Sequence, residues 1–134
     1  MKVLSIKETF ASLISLGIKK IETRSWKTNY KGEIYIHASL TKSKMDDKRK
    51  DALLKLLPNN YEFKQGYIIC KGYLKDCILM DDEFLENIKN DKTQVLCGHY
   101  EKGRYAWIID DVKLLDKKIP VKGKLGIWNF NQES

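Results

Sequence analysis

The run from Gln65 to Met80 constrains this chain more than any other stretch, because it is long, β-rich and interrupted by Gly72. A glycine inside a strand pattern marks a bulge or a sharp bend, as barrels need at their corners. A second strand is expected over Arg104 to Leu115, with Tyr105, Trp107 and Ile109 sharing a face. Glu33 to Ser39 alternates clearly: Ile34, Ile36 and Ala38 face one way, Tyr35 and His37 the other. Lys20 to Trp26 alternates too, with Glu22, Arg24 and Trp26 on one side.

Three short helices separate these strands. Residues 5 to 16 carry a capping-box spacing, Ser5 with Glu8, and an apolar face of Ile6, Phe10, Leu13 and Ile14 closed by Gly17. Ser43 to Leu57 is capped by Ser43 with Asp46 and stopped by Pro58-Asn59-Asn60. Its lysine-rich side reads as a solvated face. Asp81 to Asn90 has Asp82 and Glu83 in its first turn and Phe84, Leu85 and Ile88 inward. Pro120 to Phe130 is turn-rich. Strands and helices do not alternate as a parallel βαβ fold requires, so the expectation is a barrel-centred α+β domain.

A chain of 134 residues suits one domain, 1–134, with a core large enough to need no staples. Cys70, Cys77 and Cys97 form no CxxC pair, and His37 and His99 lack zinc spacing. No metal or cofactor is therefore expected. Reduced thiols, no apolar run long enough to span a membrane and no signal-peptide core at Met1 to Glu8 imply a cytoplasmic protein with no membrane partner. Lys and Arg number 25 against 18 Asp and Glu, a net +7. That balance suits a polyanionic partner but says nothing about fold.

The segment Gly17-Ile18-Lys19-Lys20-Ile21-Glu22-Thr23-Arg24 gathers a helix-ending glycine, a lysine, a carboxylate and an arginine. In an extended strand Glu22 and Arg24 point the same way, whereas Lys19 has the opposite parity and joins them only from the preceding turn. From spacing alone, an ordinary surface Glu22–Arg24 pair contributing under about 1 kcal/mol is the stronger reading.

These residues resemble the GxKxxExR signature of ASCH domains, in the PUA-like superfamily, through Gly17, Lys19, Glu22 and Arg24. Further matching stretches follow in order: Val3-Leu4-Ser5-Ile6, Arg24-Ser25-Trp26, Tyr30-Lys31-Gly32, Ile36-His37-Ala38-Ser39 and Gly123-Lys124-Leu125-Gly126-Ile127-Trp128. The resemblance implies a PUA-like β-barrel with short flanking helices and a cleft beside the signature that holds RNA or a nucleotide-like ligand. Lys19 and Arg24 are then expected to contact phosphate or base oxygens, with Glu22 orienting them or accepting from a base amine. Trp26 or Tyr30 would stack on a base, and His37 and Ser39 approach the same cleft.

Each of these residues also has a plainer reading: Trp26 covers one end of the barrel, and His37 bonds to backbone. Arg104, Lys122 and Lys124 are candidate phosphate contacts or solvated charges. One bacterial branch of the family hydrolyses N4-acetylcytidine and another is credited with ribonuclease activity. In the amidohydrolase branch a Thr stands where this chain has Glu22, and Thr23 is one residue off. The alternative is a small hydrolase of either kind, with Lys19 and Glu22 as base and positioning group. A protein-interaction module is a third class.

Overall fold

The first strand, β1 (Lys2–Glu8), carries buried side chains on both faces. Val3 packs with Ile68 and Trp128 on one side, while Leu4 and Ile6 enter the main core on the other. This corrects the expectation of a helix from Ser5. The Ser5–Glu8 spacing mimics a capping box, but a strand covered on both sides satisfies these apolar residues better. The helix, α1 (Phe10–Ser15), begins only after Thr9. Glu8 still serves it, accepting from Ser12 N at 2.8 Å and Ser12 Oγ at 2.6 Å.

The chain continues as β2 (Ile21–Arg24), β3 (Gly32–Lys42), α2 (Asp47–Leu54), β4 (Tyr67–Leu79), α3 (Asp82–Ile88), α4 (Lys92–Leu96), β5 (Tyr105–Pro120) and β6 (Ile127–Asn129). This computed structural model describes residues 1–131. Asp46, and not Ser43, caps α2 by accepting from Arg49 N at 2.7 Å. The Ser43 hydroxyl instead donates to the Glu8 carbonyl.

Six strands form one sheet in the order β2-β5-β4-β3-β1-β6, with β1 parallel to β3 and the other pairs antiparallel. The β4–β5 ladder changes register three times, and one shift, between Lys71 and Tyr73, straddles Gly72. A Cβ on Gly72 would lie 3.0 Å from methyl groups of both Ile109 and Val112, so the bend lets β5 approach closely. On β5, Asp111 takes a positive φ of 50° opposite this bend. Among the described strands β2 and β6 are the two ends of the sheet, with no ladder between them. The fold is mixed α+β with one bent sheet, and the expected closed barrel is not formed by backbone pairing.

The main core lies between the sheet and α1, around Leu4, Ile34, Ile36, Leu74 and Trp107. A second cluster, Leu13, Leu53, Leu57 and Cys97, ties α1 to α2 and to the end of α4. No helix among the described residues is long and apolar enough to cross a membrane.

Candidate functional site

Gly17 decides where the signature lysine goes. It adopts a φ of +75°, and its N–H donates to the Ile14 carbonyl at 2.9 Å. The N–H groups of Ile18 and Lys19 both reach the Leu13 carbonyl at 3.0 Å. This left-handed turn, cheap only for glycine, holds Lys19 ahead of β2 and frees it from strand parity. Glu22 and Arg24 then alternate as expected, opposite Trp107 and Tyr105 on β5.

The Lys19 side chain is 1% exposed. Its Nζ donates to the Cys97 carbonyl, lies 3.5 Å from Glu22 Oε1, and stands 5.1 Å from the Phe10 ring centre. Burial pushes the amine below the ordinary lysine range, and the Glu22 carboxylate opposes that shift. Arg24 Nε donates to Glu22 Oε2 at 3.0 Å, and its Nη2 donates to the Ser5 carbonyl at 3.0 Å. The three signature side chains therefore form one network from the α1–β2 turn to β1.

His37 is buried behind this network and fully occupied. Its Nε2 lies 2.7 Å from the Val121 carbonyl, an acceptor that requires the proton on Nε2. Its Nδ1 lies 3.1 Å from Ser5 Oγ, which takes the Trp128 indole N–H at 3.1 Å. The ring thus bridges Ser5 on β1 and the Val121 backbone, donating to the latter. Ser39 Oγ accepts from Thr41 N at 3.0 Å.

A cleft of about 740 Å³ opens over these residues. Lys19, Glu22, Arg24, His37 and Ser39 all line it, joined by Lys7, Arg49, Arg104, Lys122 and Lys124, and among the described residues Glu22 is the one carboxylate in the lining. Trp26 and Tyr30 do not line it. Trp26 meets Trp107 edge-on at 4.7 Å, and Tyr30 donates to the Glu33 carbonyl while packing against the core. Thr23 uses its hydroxyl to accept from His99 N at 2.9 Å. No group of three or more metal-ligating side chains is gathered among the described residues.

Two cleft residues escape a reading of the sequence. Ser5 is hidden by its resemblance to a helix cap. Arg49 is hidden by the lysines around it on α2, although it is the one arginine of that helix. Its guanidinium donates to the Leu96 carbonyl at 2.9 Å and the Gly98 carbonyl at 2.8 Å. Together with Lys19 it clasps three successive carbonyls where α4 ends, forming one wall of the cleft.

A family model described as ASCH domain matches residues 4–118. The chain belongs to the ASCH domain family. Among curated proteins, this ASCH domain is similar to Activating signal cointegrator 1 of Homo sapiens, 28% identical over 138 aligned residues. The Mus musculus protein of the same name is 27% identical. Each alignment covers 97% of this chain and 22% of the relative, so this ASCH domain spans under a quarter of the length of those proteins.

Proposed function

We propose that this ASCH domain binds RNA, or a nucleotide-like fragment, in the cleft above the Gly17–Arg24 segment. The observation that carries this reading is the charge of the lining among the described residues: Lys7, Lys19, Arg24, Arg49, Arg104, Lys122 and Lys124 set against Glu22. Cations on a rim neutralise phosphates and position a nucleic acid without reading its sequence. Arg24 contacts phosphate or base oxygens. Glu22 holds Arg24 and Lys19 in place and keeps lone pairs for a base amine. Lys19, buried and bonded to the Cys97 carbonyl, acts mainly by fixing Glu22 and the cleft wall. Trp26 and Tyr30 do not act as base platforms in this reading, because neither lines the cleft. The bent sheet is read as a PUA-like barrel left unclosed, with the Arg24–Ser5 bond bridging β2 and β1. Three unpaired cysteines suit a reducing, cytoplasmic setting.

Titration with single-stranded RNA at low salt tests the reading. Saturable binding that weakens steeply as salt rises is the expected result, and no saturable binding overturns it.

A second reading is favoured by one observation, the depressed Lys19 amine 3.5 Å from a carboxylate at the edge of a cleft. Such a pair suits general-base activation of water toward an acylated nucleoside or a phosphodiester. Incubation with N4-acetylcytidine and with labelled RNA decides it. Turnover abolished in a Glu22→Gln protein that is still folded supports hydrolysis, and unchanged substrates exclude both hydrolases.

A further inference from the structure

Arg49 stands outside the signature, and the binding reading above gives it only a share in the overall charge. Its guanidinium carbon lies 5.7 Å from the Phe10 ring centre, the same ring that Lys19 Nζ approaches. Nε and Nη2 are spent on the Leu96 and Gly98 carbonyls, whereas Nη1 has no hydrogen-bond partner among the described residues. Carbonyl dipoles orient this fork but bring no formal charge. No carboxylate among the described residues lies within ion-pair distance of Arg49, and Glu22 is already shared by Lys19 and Arg24. Three cations thus meet one carboxylate in a cleft where water screens them incompletely, and an uncompensated cation there is costly. The cleft is short of negative charge. A half-buried, backbone-braced guanidinium with a terminal nitrogen to spare is matched to phosphate oxygen, since its planar fork is already oriented.

We propose that Arg49 is the phosphate-binding arm of this cleft, so that its ligand is a nucleotide, free or within an RNA chain, and not a bare nucleoside. This rests on the RNA reading and narrows it. It also sets the binding site against the acylated nucleoside of the second reading, which carries no phosphate.

The test uses the intact protein with the four common ribonucleosides, their 5′-monophosphates and a short single-stranded RNA, at low salt. At least one monophosphate is expected to bind about 10-fold or more tightly than its nucleoside, the gain of one charge-assisted contact. Arg49→Gln should lose that preference and weaken RNA binding about 10-fold, with Arg49→Lys between. Nucleosides binding as tightly as their monophosphates overturn the proposal. So does a folded Arg49→Gln protein, verified by its melting profile, that binds RNA like the unmodified one. Where Arg49→Gln does not fold, Arg49→Lys and the nucleoside comparison decide; where the monomers bind too weakly to measure, RNA binding by the Arg49 variants decides. RNA that binds with no dependence on Arg49 refutes this proposal and spares the broader one. Monophosphates that bind through Arg49 while RNA does not bind refute RNA as the ligand and leave the phosphate arm standing.

Discussion

Gly123 lies directly against His37: a Cβ at this position would stand 2.8 Å from His37 Cε1 and 2.8 Å from Ser5 Oγ. The loop between β5 and β6 is therefore packed on the Ser5–His37 hydrogen bond, and only a residue without a side chain fits. Gly123→Ala is expected to destabilise the fold by about 1–3 kcal/mol, the usual cost of overpacking a closed site. Urea unfolding measures this. An unchanged midpoint would mean that the loop lifts away at no cost.

Glu22→Gln removes the carboxylate from a lysine that remains buried. Breaking one partner of a buried pair costs about 3–5 kcal/mol at neutral pH. The cost should shrink as pH rises, because Lys19, already pushed below the ordinary lysine range, loses its charge and with it the need for Glu22. Denaturant unfolding of both proteins at neutral and alkaline pH checks the magnitude and the trend. A loss that grows with pH would contradict the assignment.

Glu8 supplies a second pH dependence, of a different origin. Burial raises its folded-state pKa above the ordinary 4.5, despite the opposing bonds from Ser12. The folded state then holds a proton that the unfolded chain has released, so stability from Glu8 is complete below pH 4.5 and is lost as pH rises through the raised value. Subtracting the stability profile of Glu8→Gln from that of the unmodified protein should leave this falling segment. A flat difference in that window would show that the carboxyl is not perturbed.

Trp26 and the cleft cations should separate cleanly. Trp26→Ala removes an edge-on contact with Trp107 and lowers the melting temperature, since such pairs add about 0.5–1.5 kcal/mol beyond their buried area. RNA affinity should be little changed. Arg24→Ala should weaken RNA binding about 10- to 100-fold. Lys122→Ala and Lys124→Ala should each flatten the slope of log K against log salt by about 0.7 for every phosphate contact removed. Affinity measured across a salt series gives both quantities.

Strand positions that obey simple alternation were legible in the sequence: Ile34, Ile36 and Ala38 on β3, and the bend at Gly72 on β4. Gly17 was equally plain, because few residues besides glycine tolerate its φ. Ser5 misled because its spacing to Glu8 fits a local helix cap, while its true partners, His37 and Trp128, are distant in sequence. Sequence spacing likewise gave Lys19 two possible directions, and only the turn built by Leu13 and Gly17 chose one. Arg49 was illegible because the Leu96 and Gly98 carbonyls that hold it lie at and just beyond the end of a remote helix, α4, too short to announce itself. The far end of β5 escaped for a related reason. Beyond Leu115 the residues are mostly charged, and pairing with β4 through Ile68 and Tyr67 keeps them extended.

The two terminal strands of the sheet are short, β2 with 4 residues and β6 with 3, and β2 covers only Tyr105–Ile108 of the 16-residue β5. A stray strand adding itself to β2 or β6 alone would find too few partners to repay its ordering. Beyond Ile108 the guard passes to Asp110, Asp111, Lys113, Asp116, Lys117 and Lys118 on β5, since charge along an open border disfavours the addition of a further strand.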